Sequence, residues 1–227
     1  MKKYVFIFFL LCVGKVYAQE NTRPDFNTWS SIAIDYKANS KLSLELQEQL
    51  RLKENSQTLD SYFTQLSAEY ELLKNFELGL GLRFEKNNDN QGKIQGYEKR
   101  FRYNLDAAYG YKLSRVSLKH RIRYQNRMDL DETDALAKQQ VRFKTGAGYN
   151  FPKWKLDPEV AVELFYPLND LEKSGLNKFR LTLGTDYKMG YFGKLKAFFR
   201  IERPGRLDSV SANILGIGYS YTIKNKK

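Results

Sequence analysis

The feature that most constrains this chain is a hydrophobic period of two, sustained over long segments. Leu42, Leu44, Leu46, Leu50 and Leu52 interleave with Ser43, Glu45, Gln47, Gln49 and Arg51. Leu78, Leu80, Leu82 and Phe84 alternate with Glu77, Gly79, Gly81, Arg83 and Glu85, and Phe101 to Tyr111 repeats the pattern. Successive residues of a strand face opposite sides, so each segment has one apolar and one polar face. Eleven such segments can be read, at 26–36, 42–53, 61–72, 76–85, 98–111, 116–127, 138–150, 156–166, 177–189, 194–203 and 210–223. Most run ten to fourteen residues, where ordinary globular strands average about five or six. A tilted strand crossing a bilayer needs about nine to eleven.

The connections alternate in length. Short turns fall near Ala38-Asn39, Lys74-Asn75, Lys112-Leu113-Ser114, Pro152-Lys153 and Tyr191-Phe192, and longer polar loops at 54–60, 86–97, 128–137, 167–176 and 204–209. This is the arrangement of outer-membrane barrels. The expected fold is therefore all-β: a closed antiparallel transmembrane β-barrel of 10–12 strands in an up-and-down meander. Bacterial single-chain barrels have an even number of strands, which favours twelve over the eleven segments counted.

The N-terminus reads as an address. Lys2 and Lys3 precede an apolar run from Tyr4 to Val13, and Val16-Tyr17-Ala18 supplies a cleavage site. That is the pattern of a secretory signal peptide over 1–18, leaving 19–227 as one outer-membrane barrel domain. A lipidated Cys12 is disfavoured by Leu11 before it. Cleavage after Ala18 removes the one cysteine, and with it disulfides, thiolate metal sites and a Cys nucleophile. The full-length charge is +12; loss of Lys2, Lys3 and Lys15 leaves 35 basic and 26 acidic side chains, a net +9.

Alternation does not say which face is inside. A soluble periplasmic lipid-binding barrel turns its apolar face inward, and a membrane barrel turns it toward lipid. Three features point to the membrane. Tyr36, Tyr62, Tyr70, Phe84, Tyr111, Tyr124, Tyr149, Tyr166, Tyr187 and Tyr191 cluster near strand ends, where amphipathic rings meet the lipid–water boundary. The polar face carries both charge signs and several glycines. Gly216-Ile217-Gly218-Tyr219-Ser220-Tyr221 is similar to the C-terminal signal read by the barrel-insertion machinery, with Ile214 in a usually polar place and six residues after Tyr221.

Asp25-Phe26 with Trp29, Tyr62-Phe63-Thr64-Gln65-Leu66, Arg121-Ile122-Arg123-Tyr124-Gln125-Asn126-Arg127, Glu163-Leu164-Phe165-Tyr166 and Phe179-Arg180-Leu181-Thr182-Leu183-Gly184 occur in this order. Together they resemble an uncharacterised bacterial family, domain of unknown function 2490, over nearly the whole mature chain. The resemblance implies an outer-membrane β-barrel and supplies no catalytic or ligand residues.

Catalytic chemistry finds little support. His120, the sole histidine, lies on the apolar parity beside Leu118 and Ile122, while Ser117 has the opposite parity. A lipid-processing enzyme would need a nucleophile beside it. No Gly-rich loop precedes Lys-Ser or Lys-Thr, and Gly146-x-Gly148 and Gly216-x-Gly218 sit inside strands, where they permit close packing. Asp129-x-Asp131-Glu132-x-Asp134 reads as a solvated acidic loop, without the Gly turn and spaced Glu of a calcium loop. No catalytic residue, metal site or cofactor is expected.

The basic excess is placed on the polar parity. Arg100, Arg102, Arg121, Arg123, Arg142 and Lys144 would form a cationic wall in the lumen, with Lys119 and Arg127 sharing the parity. Simple turn centres set Asp106 against Arg121, Arg142 against Glu163, Arg180 against Glu202 and Asp186 against Lys196 as lumen ion pairs. A narrow anion-biased channel follows if the lumen is open, and a structural envelope protein if these side chains close it. The expected partners are outer-membrane lipid and the barrel-insertion machinery. Nucleic acid is excluded for an exported chain whose cations alternate with lipid-facing residues.

Overall fold

The computed structural model describes residues 23–89, 96–132, 136–152, 154–169, 175–205 and 211–225. The expected signal peptide, residue 19 at the start of the mature domain, and Asp134 of the acidic loop lie outside these residues.

Eleven strands close into one barrel: β1 (Asp25–Lys37), β2 (Leu42–Lys53), β3 (Thr58–Leu73), β4 (Phe76–Asp89), β5 (Gly96–Leu113), β6 (Val116–Asp129), β7 (Lys138–Tyr149), β8 (Leu156–Pro167), β9 (Lys178–Lys188), β10 (Lys194–Pro204) and β11 (Ala212–Lys224). Each strand pairs with its sequence neighbours, so the chain is an up-and-down meander. The count is eleven, and the preference for twelve is corrected. An odd meander sends its first and last strands the same way. Closure is accordingly parallel, β1 on β11, with Trp29 beside Gly216 and Lys37 beside Lys224. The expected all-antiparallel barrel is thus mixed at this one seam. All other pairings are antiparallel.

Two-residue turns set several registers. Asn75 (φ 69°) and Ser114 (φ 56°) take the left-handed conformation that tight hairpins require. Strand β5 runs to Leu113, which pairs with Val116, one position later than a turn over 112–115 implies. The β2–β3 turn is tied across the barrel rim, since the Asp25 carboxylate accepts from the backbone N–H groups of Glu54 (2.9 Å) and Asn55 (2.8 Å).

The facing is unambiguous. Ile32, Ile34, Leu46, Leu66, Leu80, Leu105, Ile122, Leu183 and Ile217 are exposed on the outside. Arg83, Asn104, Gln125, Arg142 and Glu163 are buried inside. Two polar side chains of the outer face, Glu48 and His120, each find a partner directly opposite on the next strand. Glu48 accepts from Thr64 (2.7 Å). His120 Nδ1 meets Thr145 Oγ1 at 3.1 Å, its ring stacked against Tyr111. Exterior aromatics gather at both ends, with Tyr62–Tyr97 and Phe84–Phe101 contacts toward the long loops and Tyr149–Phe151–Trp154 toward the short turns. Tyr62 and Tyr70 on β3 are about 26 Å apart along the strand, which suits an apolar band of about 25 Å once tilt is included.

Candidate functional site in the barrel lumen

The inward parity builds a central cavity of about 660 Å³ that reaches from the barrel middle toward the long-loop end. Fourteen of its described lining residues are Lys or Arg, and four are Asp or Glu. Glu98, Asp106, Asp129 and Glu202 pair with members of this wall from its margin, so cations still outnumber carboxylates by fourteen to eight. The structure places Arg100, Arg102, Arg121, Arg123, Arg142 and Lys144 around this cavity.

The ion pairs differ in detail from those expected. Asp106 stands opposite Arg123 and accepts from its Nε and Nη2, both at 2.6 Å; its expected partner Arg121 is two residues away. Arg121 instead donates to Glu163 at 2.9 Å. Glu163 lies opposite Lys144, with Arg142 opposite Phe165, yet Arg142 reaches diagonally to Glu163 at 2.8 Å. Arg180 and Glu202 are directly opposite and joined through Arg180 Nε. Asp186 and Lys196 are opposite as expected, but the ammonium nearest Asp186 is that of Lys194, at 3.3 Å. Both register errors are shifts of two residues, which change partners while preserving facing.

Two rows of residues cross the lumen perpendicular to the strands. One runs Arg121, Lys144, Glu163, Arg180, Glu202 across β6 to β10. Glu163 sits at its centre and takes Arg121, Arg142 and Arg180 (3.6 Å) together. The other runs Arg83, Arg102, Arg127, Lys138 across β4 to β7, with a cation at every position. Like charges directly opposite destabilise a ladder. Glu85 and Asp129 flank this second row, Glu85 at 3.7 Å from Arg83 and Asp129 at 3.8 and 3.6 Å from Arg127 and Lys138. Among the described residues Arg102 has neither an ion pair nor a hydrogen bond, and its Nε is buried without an acceptor.

Inward aromatics hold this charge in place. Trp29, Phe63, Phe165 and Phe198 break the polar parity of their strands. Arg83 stacks over Phe63 at 3.4 Å, Arg51 over Trp29 at 4.0 Å, Arg142 over Phe165 at 4.5 Å and Arg200 over Phe198 at 4.6 Å. A cation over a ring face gains about 0.5–2 kcal/mol depending on desolvation. Several of these guanidiniums are anchored by neutral acceptors. Gln65 Oε1 takes Arg83 at 2.9 and 2.6 Å, Gln49 takes Arg51, Gln125 takes Arg142 and Thr182 takes Arg200. An amide oxygen fixes a guanidinium without cancelling its charge. The sequence signal was available: Phe63 between Ser61 and Gln65, and Phe198 between Lys196 and Arg200, are out of phase with the apolar face. Gly216 makes room for the Phe198 ring, which passes 2.0 Å from where a Cβ would stand.

Toward the short turns the lumen changes sign. A second cavity of about 280 Å³ is lined by Asp35, Glu45 and Glu69, and shares Arg121 and Arg123 with the central one. Asp35 and Glu45 are directly opposite each other on β1 and β2. In the acidic loop, Asp131 accepts from the Lys99 backbone at 2.6 Å, so it is engaged with β5.

The model of a protein family of unknown function, DUF2490, matches residues 26–198. The chain belongs to this family. No curated protein matches the sequence. Among solved structures, a chain from work on the in-meso crystallization of membrane proteins aligns at 14% identity and a TM-score of 0.42, covering 86% of this chain and 79% of its own. A porin refined at 1.8 Å aligns at 14% identity and a TM-score of 0.37, covering 79% of this chain and 58% of the porin. The DUF2490 match spans β1 to the first half of β10 and carries no assigned activity.

Proposed function

We propose that this DUF2490 chain is an exported outer-membrane barrel whose lumen forms a narrow, anion-biased channel. One observation carries this reading: the central cavity is lined by fourteen cationic and four anionic side chains. In a low-dielectric wall such an excess focuses positive potential, raises the local anion concentration and repels cations. The outward leucines, the aromatic belts and the N-terminal address support the membrane location. A lipid-binding soluble barrel needs the opposite facing, with apolar side chains within. The outward His120–Thr145 pair supports an enzyme weakly, because among the described residues no Asp or Glu pairs with His120 to orient it.

The test is reconstitution in planar bilayers after outer-membrane fractionation and a heat-modifiable mobility check. The expected result is a small single-channel current whose reversal potential in a KCl gradient favours chloride. Cation selectivity overturns the channel reading. Absence of current from folded protein leaves the structural envelope role.

A further inference from the structure

We propose that Arg102, flanked by Arg83 and Arg127 and approached by Arg51, forms a binding site for a small multivalent oxyanion of the phosphoryl class. The proposal deepens the channel reading and rests on it for a water-filled lumen.

First, Arg102 stands between Arg83 and Arg127, which lie directly opposite it on β4 and β6. It also lies within electrostatic reach of one carboxylate, Glu85, and of three further cations, Arg51, Arg123 and Arg180. Like charges paired across a ladder cost stability, and a buried donor without an acceptor adds about 1–3 kcal/mol. A lumen that only needed closing would set carboxylates between the cations there, as the other row does from Lys144 through Glu163 and Arg180 to Glu202. Second, the neighbours are held chiefly by uncharged groups, and the carboxylates of Glu85 and Asp129 reach Arg83 and Arg127 only at 3.7 and 3.8 Å. Gln65 and Phe63 fix Arg83, and Gln49 and Trp29 fix Arg51. Stacking uses the face of a guanidinium and leaves N–H edges for a further acceptor. Third, guanidinium forks match phosphoryl oxygens bidentately. A group with three peripheral oxygens and two or more charges can meet several forks from different strands, whereas a monocarboxylate meets one or two. The cavity of about 660 Å³ is large enough for a small phosphorylated molecule.

The experiment is isothermal titration of the folded, detergent-solubilised full chain with sodium pyrophosphate, inorganic phosphate, succinate and chloride at matched ionic strength. Saturable binding of pyrophosphate, weaker binding of phosphate and none of chloride is expected. Arg102→Gln should weaken pyrophosphate about tenfold or more, while Lys74→Gln, on an exposed turn, leaves it unchanged. Arg102→Gln removes a like charge and so should raise the thermal midpoint, which reports folding in the same sample. Arg127→Gln provides a second, independent variant. Equal affinity in wild type and both variants, or equal heats from chloride, overturns the site. Succinate binding as tightly as pyrophosphate overturns the phosphoryl assignment. Anion-selective current without pyrophosphate binding removes the site and keeps the channel. Binding without current keeps the site and removes the channel.

Discussion

The row Arg121–Lys144–Glu163–Arg180–Glu202 and the row Arg83–Arg102–Arg127–Lys138 cross the same lumen and handle charge in opposite ways. On β6, which both rows cross, they stand six residues apart, about 20 Å along the strand. The first interposes carboxylates, and one of them, Glu163, gathers three arginines. The second places cation against cation and anchors Arg83 through a glutamine and an aromatic ring. Charge in the first row is an internal cross-link. Charge in the second is loosely compensated by Glu85 and Asp129 at 3.6 to 3.8 Å, and at Arg102 it is left available. The difference teaches that a lumen rich in arginine is not of one kind: what each guanidinium leans on decides whether it closes the barrel or equips it.

The sharpest way to break this contrast is Glu163→Gln. It removes the carboxylate shared by Arg121, Arg142 and Arg180 and leaves Arg121 and Arg142 without an anionic partner, while Arg180 keeps Glu202. Breaking a buried pair from one side costs about 3–5 kcal/mol. Chemical unfolding in micelles should show a loss of this size. A loss below about 1 kcal/mol would mean that the first row is as loosely compensated as the second.

The opposite substitution in the second row should move stability the other way. Arg102→Glu sets a carboxylate between Arg83 and Arg127, opposite signs on both sides, each pair contributing about 0.2–1 kcal/mol. We expect the midpoint to rise and the chloride preference in bilayers to fall. Added salt should stabilise wild type more than this variant, because screening relieves repulsion that the variant lacks. A lowered midpoint would show that Arg102 already serves as a structural partner.

These rows also mark what the sequence made legible. Facing and strand positions follow from parity, so Arg102, Arg121 and Arg142 could be assigned to one wall without coordinates. Partners across the ladder depend on where a turn centres. A one-residue error at Ser114 moves Asp106 from Arg123 to Arg121, with no trace in the hydrophobic pattern. A turn centred on Tyr191 sets Arg180 against Glu202, and the two strands pair in that register. Closure was out of reach for another reason. The β1–β11 contact joins the far ends of the chain, and no local turn specifies it. The inward rings of Trp29 and Phe63 were visible as breaks in parity, but stacking under arginine depends on side-chain direction, which alternation does not encode.

The smallest expected effect separates the lumen from the outer face. His120 points away from both rows, is exposed, and is satisfied by Thr145 on the adjacent strand. His120→Ala removes the ring contact with Tyr111 and one hydrogen bond at the barrel exterior, the bond contributing about 0.6 kcal/mol for a side chain facing lipid. Neither Arg102 nor Glu163 touches it, so current, ion selectivity and pyrophosphate affinity should stay at wild-type values while the unfolding midpoint falls slightly. The same variant is the direct trial of lipid chemistry on the outer surface. Phospholipid hydrolysis or acyl transfer by wild type that disappears in His120→Ala would move the functional centre from the lumen to the His120–Thr145 pair, and the contrast between the two rows would then concern stability alone.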